Sequence, residues 1–213
     1  MRSNGMRFSL MALILSMMVG CTHDIHPVAK DEGLYVTQIK GEKAQIVASQ
    51  DFQRLVLKDV PLRSSNWKWQ KFNVAIGKTL TDGVYSNVRK TYSDTRIGDA
   101  KDSDLSGLTF ILTGATVELW IDDDSSFATQ MVIAPAYYGT KVDAQAKVTL
   151  TGNIVLPDGN TKSLALTGHG LKNLRPQSMD ADVVEEVTGL AAADVARQVV
   201  QQMRGISAQR AGQ

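Results

Sequence analysis

The sequence predicts a single α+β domain with two helices packed on one face of an antiparallel or mixed β-sheet. Three observations carry this expectation. Apolar residues alternate with polar ones over long stretches, above all Val142 to Leu156. They recur at helical steps in two separated places, around Leu80 and around Val195. Strand-like and helix-like segments are grouped rather than interleaved, which argues against a parallel α/β sheet.

The elements follow in chain order. Leu34 to Ala48 reads as extended, with a Gly-Glu-Lys turn (Gly41 to Lys43) in the middle. Phe52 to Leu62 continues the extended character, and Pro61 is expected to end it. Trp67 to Gly77 is the next strand candidate. In Gly77 to Arg96 the period changes: Leu80, Val84, Val88 and Tyr92 fall on one helical face, and Thr79 with Asp82 resembles a capping box with a shortened acid. Strands return at Leu108 to Ile121 and at Met131 to Leu156. The latter alternates strictly from Val142, pairing through Pro157-Asp158-Gly159-Asn160 with a strand that holds Leu164, Leu166 and Gly168 in phase. Asp-Gly between alternating runs is a strong hairpin signal. Met179 to Gly205 is the second helix. Its stripe is Val184, Val187, Ala191, Val195, Val199 and Met203. Asp180 or Asp182 is placed to cap its start, Arg204-Gly205 to end it, and Gly189 is its weak point.

The N-terminus is different in kind. Met1 to Arg7 carries Arg2 and Arg7 and no acid; Phe8 to Val19 is apolar except for Ser9 and Ser16; Gly20, Cys21 and a polar run follow. A basic start, a short apolar run and a small residue at the cut describe an export signal. The run falls short of the roughly 20 apolar residues that a membrane span needs. Cys21 is the only cysteine, so it closes no intramolecular disulfide. Its position directly after the apolar run sets a covalent anchor against two blander readings, an idle cysteine or a buried one.

Met18-Val19-Gly20-Cys21 resembles the lipobox of bacterial lipoproteins, with Met18 where leucine is commonest. The resemblance implies that the Cys21 thiol takes a diacylglycerol and that cleavage before it makes Cys21 the first mature residue. Each buried methylene contributes about 0.8 kcal/mol, so several acyl chains on one residue hold firmly. In that family an aspartate after the cysteine retains the protein at the inner membrane. Thr22 is unlike that signal, so in a cell with two membranes the resemblance implies the outer membrane, with the domain facing the periplasm. The expected organisation is a signal peptide over 1–20, a lipidated tether over 21–33 reaching up to about 40 Å, the α+β domain over 34–205 and a flexible tail over 206–213.

Charge narrows the partners. The chain has 23 basic and 22 acidic residues, and loss of residues 1–20 leaves 21 against 22, a formal −1. Nucleic-acid binding asks for a basic face and is not expected. The roughly 180 residues beyond the tether suffice for one core without disulfides.

No residue pattern argues for catalysis, and neither a cofactor nor a metal is expected. Asp122 to Asp124 lacks the glycine and distal glutamate of a calcium loop. His23 and His26 lie near Cys21, but an acylated sulfur is no thiolate ligand. His169 stands alone between two glycines, without a G-x-S-x-G elbow elsewhere. The surface candidate is Trp67 with Trp69. On a strand the two share one face, while Phe72, Val74 and Ile76 take the other. Either a bulge near Gln70 shifts the register and the pair packs in the core or at the sheet edge, or two aromatics face away from the core, where they serve a contact with a partner or with lipid.

The early amphipathic helix, the hairpin around Leu156 to Asn160 and the Val/Ala-rich last helix are together similar to small envelope lipoproteins, the YajG-like proteins and the lipopolysaccharide-assembly lipoproteins. The similarity covers the layout of residues 70–205. It implies the fold class and an envelope role, and no site. The expected role is non-enzymatic, assisting envelope assembly, secretion or transport through contacts with an envelope protein partner. The alternative is a lipid- or glycan-binding accessory subunit.

Overall fold

The computed structural model describes residues 22–30, 38–64, 67–99, 107–122, 142–175 and 179–211. These form, in order, β1 (Thr22–Ile25), β2 (Ile39–Ala48), the short α1 (Gln50–Gln53), β3 (Val56–Arg63), β4 (Lys71–Ala75), α2 (Ile76–Thr91), β5 (Tyr92–Gly98), β6 (Leu108–Asp122), β7 (Val142–Val155), β8 (Thr161–Leu174) and α3 (Ala181–Ala211). The signal peptide and Cys21, the segment Leu34 to Val36, Asp123 and Asp124, Met131 to Lys141, and residues 212–213 lie outside the described residues.

One mixed sheet and two long helices make the α+β architecture, as the patterning predicts. The β7–β8 hairpin is antiparallel without a break, from Val142 opposite Leu174 to Val155 opposite Thr161. Its turn closes as Asp-Gly requires: Gly159 takes φ +83°, and its N–H donates to the Leu156 carbonyl at 2.9 Å. β6 runs antiparallel to β7 along its length. The other edge of β6 is divided: residues 108–112 lie parallel to β2, and Leu119 and Trp120 lie parallel to Leu62 and Arg63 of β3. The sheet therefore forks into a β2–β5 arm and a β3–β4–β1 arm. The register with β7 shifts between Leu112 and Gly114, and such a bulge bends a strand.

One face of the sheet is buried. Ile46, Phe110 and Ile154 stand side by side on it, as do Leu119 and Ala146, and all are at most 1% exposed. Fully burying an isoleucine, leucine or phenylalanine side chain contributes about 1.5–3 kcal/mol. The stripes of both helices close over this face. Leu80, Val84 and Val88 of α2, and all six stripe residues named for α3, are buried. The opposite face is polar: Glu118 pairs with Lys147 at 3.0 Å and with Arg63 at 3.3 Å, and the Lys147 hydrogen bond holds its carboxyl below the usual carboxylate range.

The α3–β8 contact is close because β8 offers no side chains there. A Cβ on Gly170 would lie 1.9 Å from the Val187 carbonyl oxygen, and one on Gly168 would lie 2.2 Å from that of Ala191. The helix backbone rests on the strand itself. Asp180 is the cap of α3, accepting from the Val183 N–H at 3.0 Å.

Several expectations need correction. Gly41 to Lys43 is a bulge within β2, with Gly41 at φ +84° and a register shift between Ile39 and Lys43, not a turn. Phe52 lies in α1, whose cap Ser49 accepts from the Phe52 N–H. β3 runs through Pro61 rather than stopping at it. Helix α2 starts at Ile76, so Thr79 caps nothing. Tyr92 is buried, but as the first residue of β5, a strand that the helical period had absorbed. The last helix passes Gly205 and reaches Ala211, so residues 206–211 are no flexible tail. Docking explains this. The Ser207 hydroxyl donates to Glu42 at 2.5 Å and meets the Tyr92 hydroxyl at 3.1 Å. Burial pushes the Tyr92 phenol above its ordinary value. These contacts offset the roughly 1 kcal/mol that a mid-helix glycine costs.

Candidate functional site

The expected tether is the largest departure. Residues 22–29 are built into the domain. β1 pairs in parallel with β4, Thr22 opposite Lys71 through Ile25 opposite Val74. Ile25 is 1% exposed, the His23 ring stacks on Phe72 with centroids 5.4 Å apart, and Asn73 donates to the Asp24 carboxylate at 2.8 Å. Beyond the strand the chain passes between the two long helices. The His26 N–H donates to Glu185 at 2.9 Å, and the Thr79 hydroxyl donates to the Pro27 carbonyl at 2.5 Å. Gly189 makes room for the crossing, since a Cβ there would lie 2.4 Å from the Val28 carbonyl oxygen. The weak point of the helix is thus a seat for the N-terminal segment. His23 and His26 are placed by packing and backbone bonds.

The tryptophans sit at the same end of the sheet as Thr22. Trp67 to Gln70 is a turn between β3 and β4, neither strand nor bulge. Ser64 Oγ accepts from the Trp67 N–H at 3.1 Å; the Gln70 N–H donates to the Trp67 carbonyl at 3.0 Å; and the Leu62 N–H donates to the Gln70 carbonyl at 3.2 Å. The turn removes the parity conflict and separates the pair. Trp67 is half-buried and packs on the core. Trp69 is 71% exposed, with Lys68 Nζ 5.0 Å from its ring centroid, a cation–π distance. Tryptophan content and parity singled out both residues, but only the turn shows that they play different parts.

His169 borders a cavity of about 210 Å³ with Lys30, Asn87 and Arg197. Its backbone N–H donates to Asp194 at 3.2 Å, and the same carboxylate takes Arg197 at 3.3 Å and Gln198 at 3.2 Å. Asp194 is thereby committed to tying α3 to β8. A second groove of about 420 Å³ runs between residues 26–29 and α2. Asp122 closes β6 and is exposed. Among the described residues no group of three or more His, Cys, Asp or Glu is placed to hold a metal ion. No described helix is long and apolar enough to cross a membrane.

No family model and no curated protein matches the chain. Among solved structures, it is similar to the rare lipoprotein B of Shewanella oneidensis, at 14% identity and TM-score 0.43 over 70% of this chain and 96% of that one. It is similar to a minor lipoprotein of Acinetobacter baumannii, at 11% identity and TM-score 0.43 over 79% and 94%. A protein of Xanthomonas campestris aligns at 9% identity and TM-score 0.43 over 91% and 100%. Likeness at this level carries no argument about activity.

Proposed function

We propose that this protein is an envelope lipoprotein, anchored by acylated Cys21 to the outer membrane and facing the periplasm. Its role is non-catalytic: it assists assembly, secretion or transport through contacts with an envelope protein partner. The observation that carries the reading is the position of Cys21. It ends an export-type apolar run and directly precedes a strand locked into the sheet. Acyl chains on Cys21 would therefore hold the folded domain at the bilayer, because the residue next to the anchor is already part of the sheet.

A lipid- or glycan-binding subunit would need an apolar cavity between sheet and helices. The helix backbone lies directly on β8 at Gly170 and Gly168, and the cavity beside this contact is bordered by Lys30, Asn87, His169 and Arg197, a polar and charged set. This supports the protein-contact reading over the ligand reading. Cys21→Ser tests the anchor. The variant is expected to lose acylation and to stay uncleaved or be miscleaved. A Cys21→Ser chain that still runs as the lipidated mature form would overturn the reading.

A further inference from the structure

We propose that the turn from Trp67 to Gln70 is a membrane-interface contact, in which Trp69 inserts its ring among the lipid headgroups beside the acylated Cys21. The proposal rests on the anchor reading above and adds a second contact between the domain and the bilayer.

The register of β1 carries the argument. Parallel strands begin at the same end, and Thr22 is the Cα partner of Lys71. The residue before β1 and the turn before β4 therefore share one end of the sheet. Neighbouring strands lie about 4.8 Å apart and successive Cα atoms about 3.8 Å apart, so the Cα of Thr22, the residue bonded to Cys21, is within roughly 12 Å of that of Trp69. Acyl chains on Cys21 put that residue at the bilayer surface. The headgroup zone, roughly 5–8 Å deep on each side, is then within reach of the turn.

The chemistry of the turn fits lipid. At 71%, Trp69 is the most exposed large hydrophobic among the described residues. Tryptophan concentrates at membrane–water interfaces, where its ring is apolar and its N–H stays wet. Lys68 lies over the ring and can extend its ammonium towards phosphates while its stem follows the ring into the interface. A protein hot spot would instead call for several anchors clustered together. The other tryptophan of the turn, Trp67, is packed on the core. Arg63 and Lys71 at this end are engaged by Glu118 and Asp59, so the contact is ring insertion and not a basic patch. It does not depend on anionic lipid.

The test uses the full mature lipoprotein, reconstituted into phosphatidylcholine vesicles whose acyl chains are brominated near the carbonyl end. Mass spectrometry of the N-terminal peptide reports acylation in the same sample. The expected result is quenching of tryptophan emission relative to unbrominated vesicles, with loss of that quenching in Trp69→Phe and its retention in Trp67→Phe. An acylated protein with unquenched emission, or equal quenching in Trp69→Phe, overturns the interface contact and leaves the anchor standing. A chain that carries no lipid on Cys21 overturns both.

Discussion

The slab formed by β7, β8 and α3 and the arm formed by β1, β3 and β4 solve the same problem in different ways. In the slab every pair is in register, the turn is a two-residue signal made good, and the helix lies directly on the strand. In the arm the register of β3 against β4 shifts between Leu57 and Val60, Asp59 takes φ +53°, and a tryptophan turn joins the strands. The edge strand of the arm, β1, comes from a segment with no apolar period. The slab is held by local sequence order. The arm is held by long-range pairing, and its irregular turn leaves Trp69 in solvent. Regularity serves the core here, and the irregular edge carries the surface chemistry.

Three tests would sharpen this contrast. The largest effect is expected from Val195→Asp, which buries an unpaired carboxylate at a fully buried position of α3; unpaired buried charge costs several kcal/mol, about 4 or more. Chemical denaturation should find the variant largely unfolded, and a wild-type midpoint would mean that α3 is not docked. Next comes Gly170→Ala. A Cβ 1.9 Å from the Val187 carbonyl forces the helix off the strand, at about 2–3 kcal/mol; thermal melting checks it, and an unchanged melt would place α3 farther from β8. The third is a pair in the arm. Trp67→Ala should cost about 2 kcal/mol, below the 3–5 of a fully buried tryptophan, whereas Trp69→Ala should stay within about 0.5 kcal/mol. Equal losses in the two melts would mean that the turn does not separate the two rings.

Where reading and structure agreed, the signal was a period backed by local chemistry. The alternation from Val142, the Asp158-Gly159 turn, the Asp180 cap and the Val184 to Met203 stripe each needed only neighbours in sequence. Where they disagreed, a distant contact decided. Tyr92 continues the four-residue step of α2, yet the chain leaves the helix at Thr91 because residues 92–98 pair with β2. Gly205 is a fair stop signal, overridden by Ser207 reaching Glu42 and Tyr92.

The sequence by itself determined the fold class, the two helical stripes, the long hairpin and the singular position of Cys21, because period, turn chemistry and composition are local properties. Only the tertiary structure decided that residues 22–29 belong to the domain, that Trp67 and Trp69 part ways, and that Trp69 shares one end of the sheet with the residue after Cys21. The first and the last depend on β1 pairing with β4 across 49 residues, from Asp24 to Asn73; the second depends on the turn that Ser64 and Gln70 hold. A segment of four residues has too few side chains to announce its partner; the edge of β4 and the gap between α2 and α3 supply what its own sequence does not.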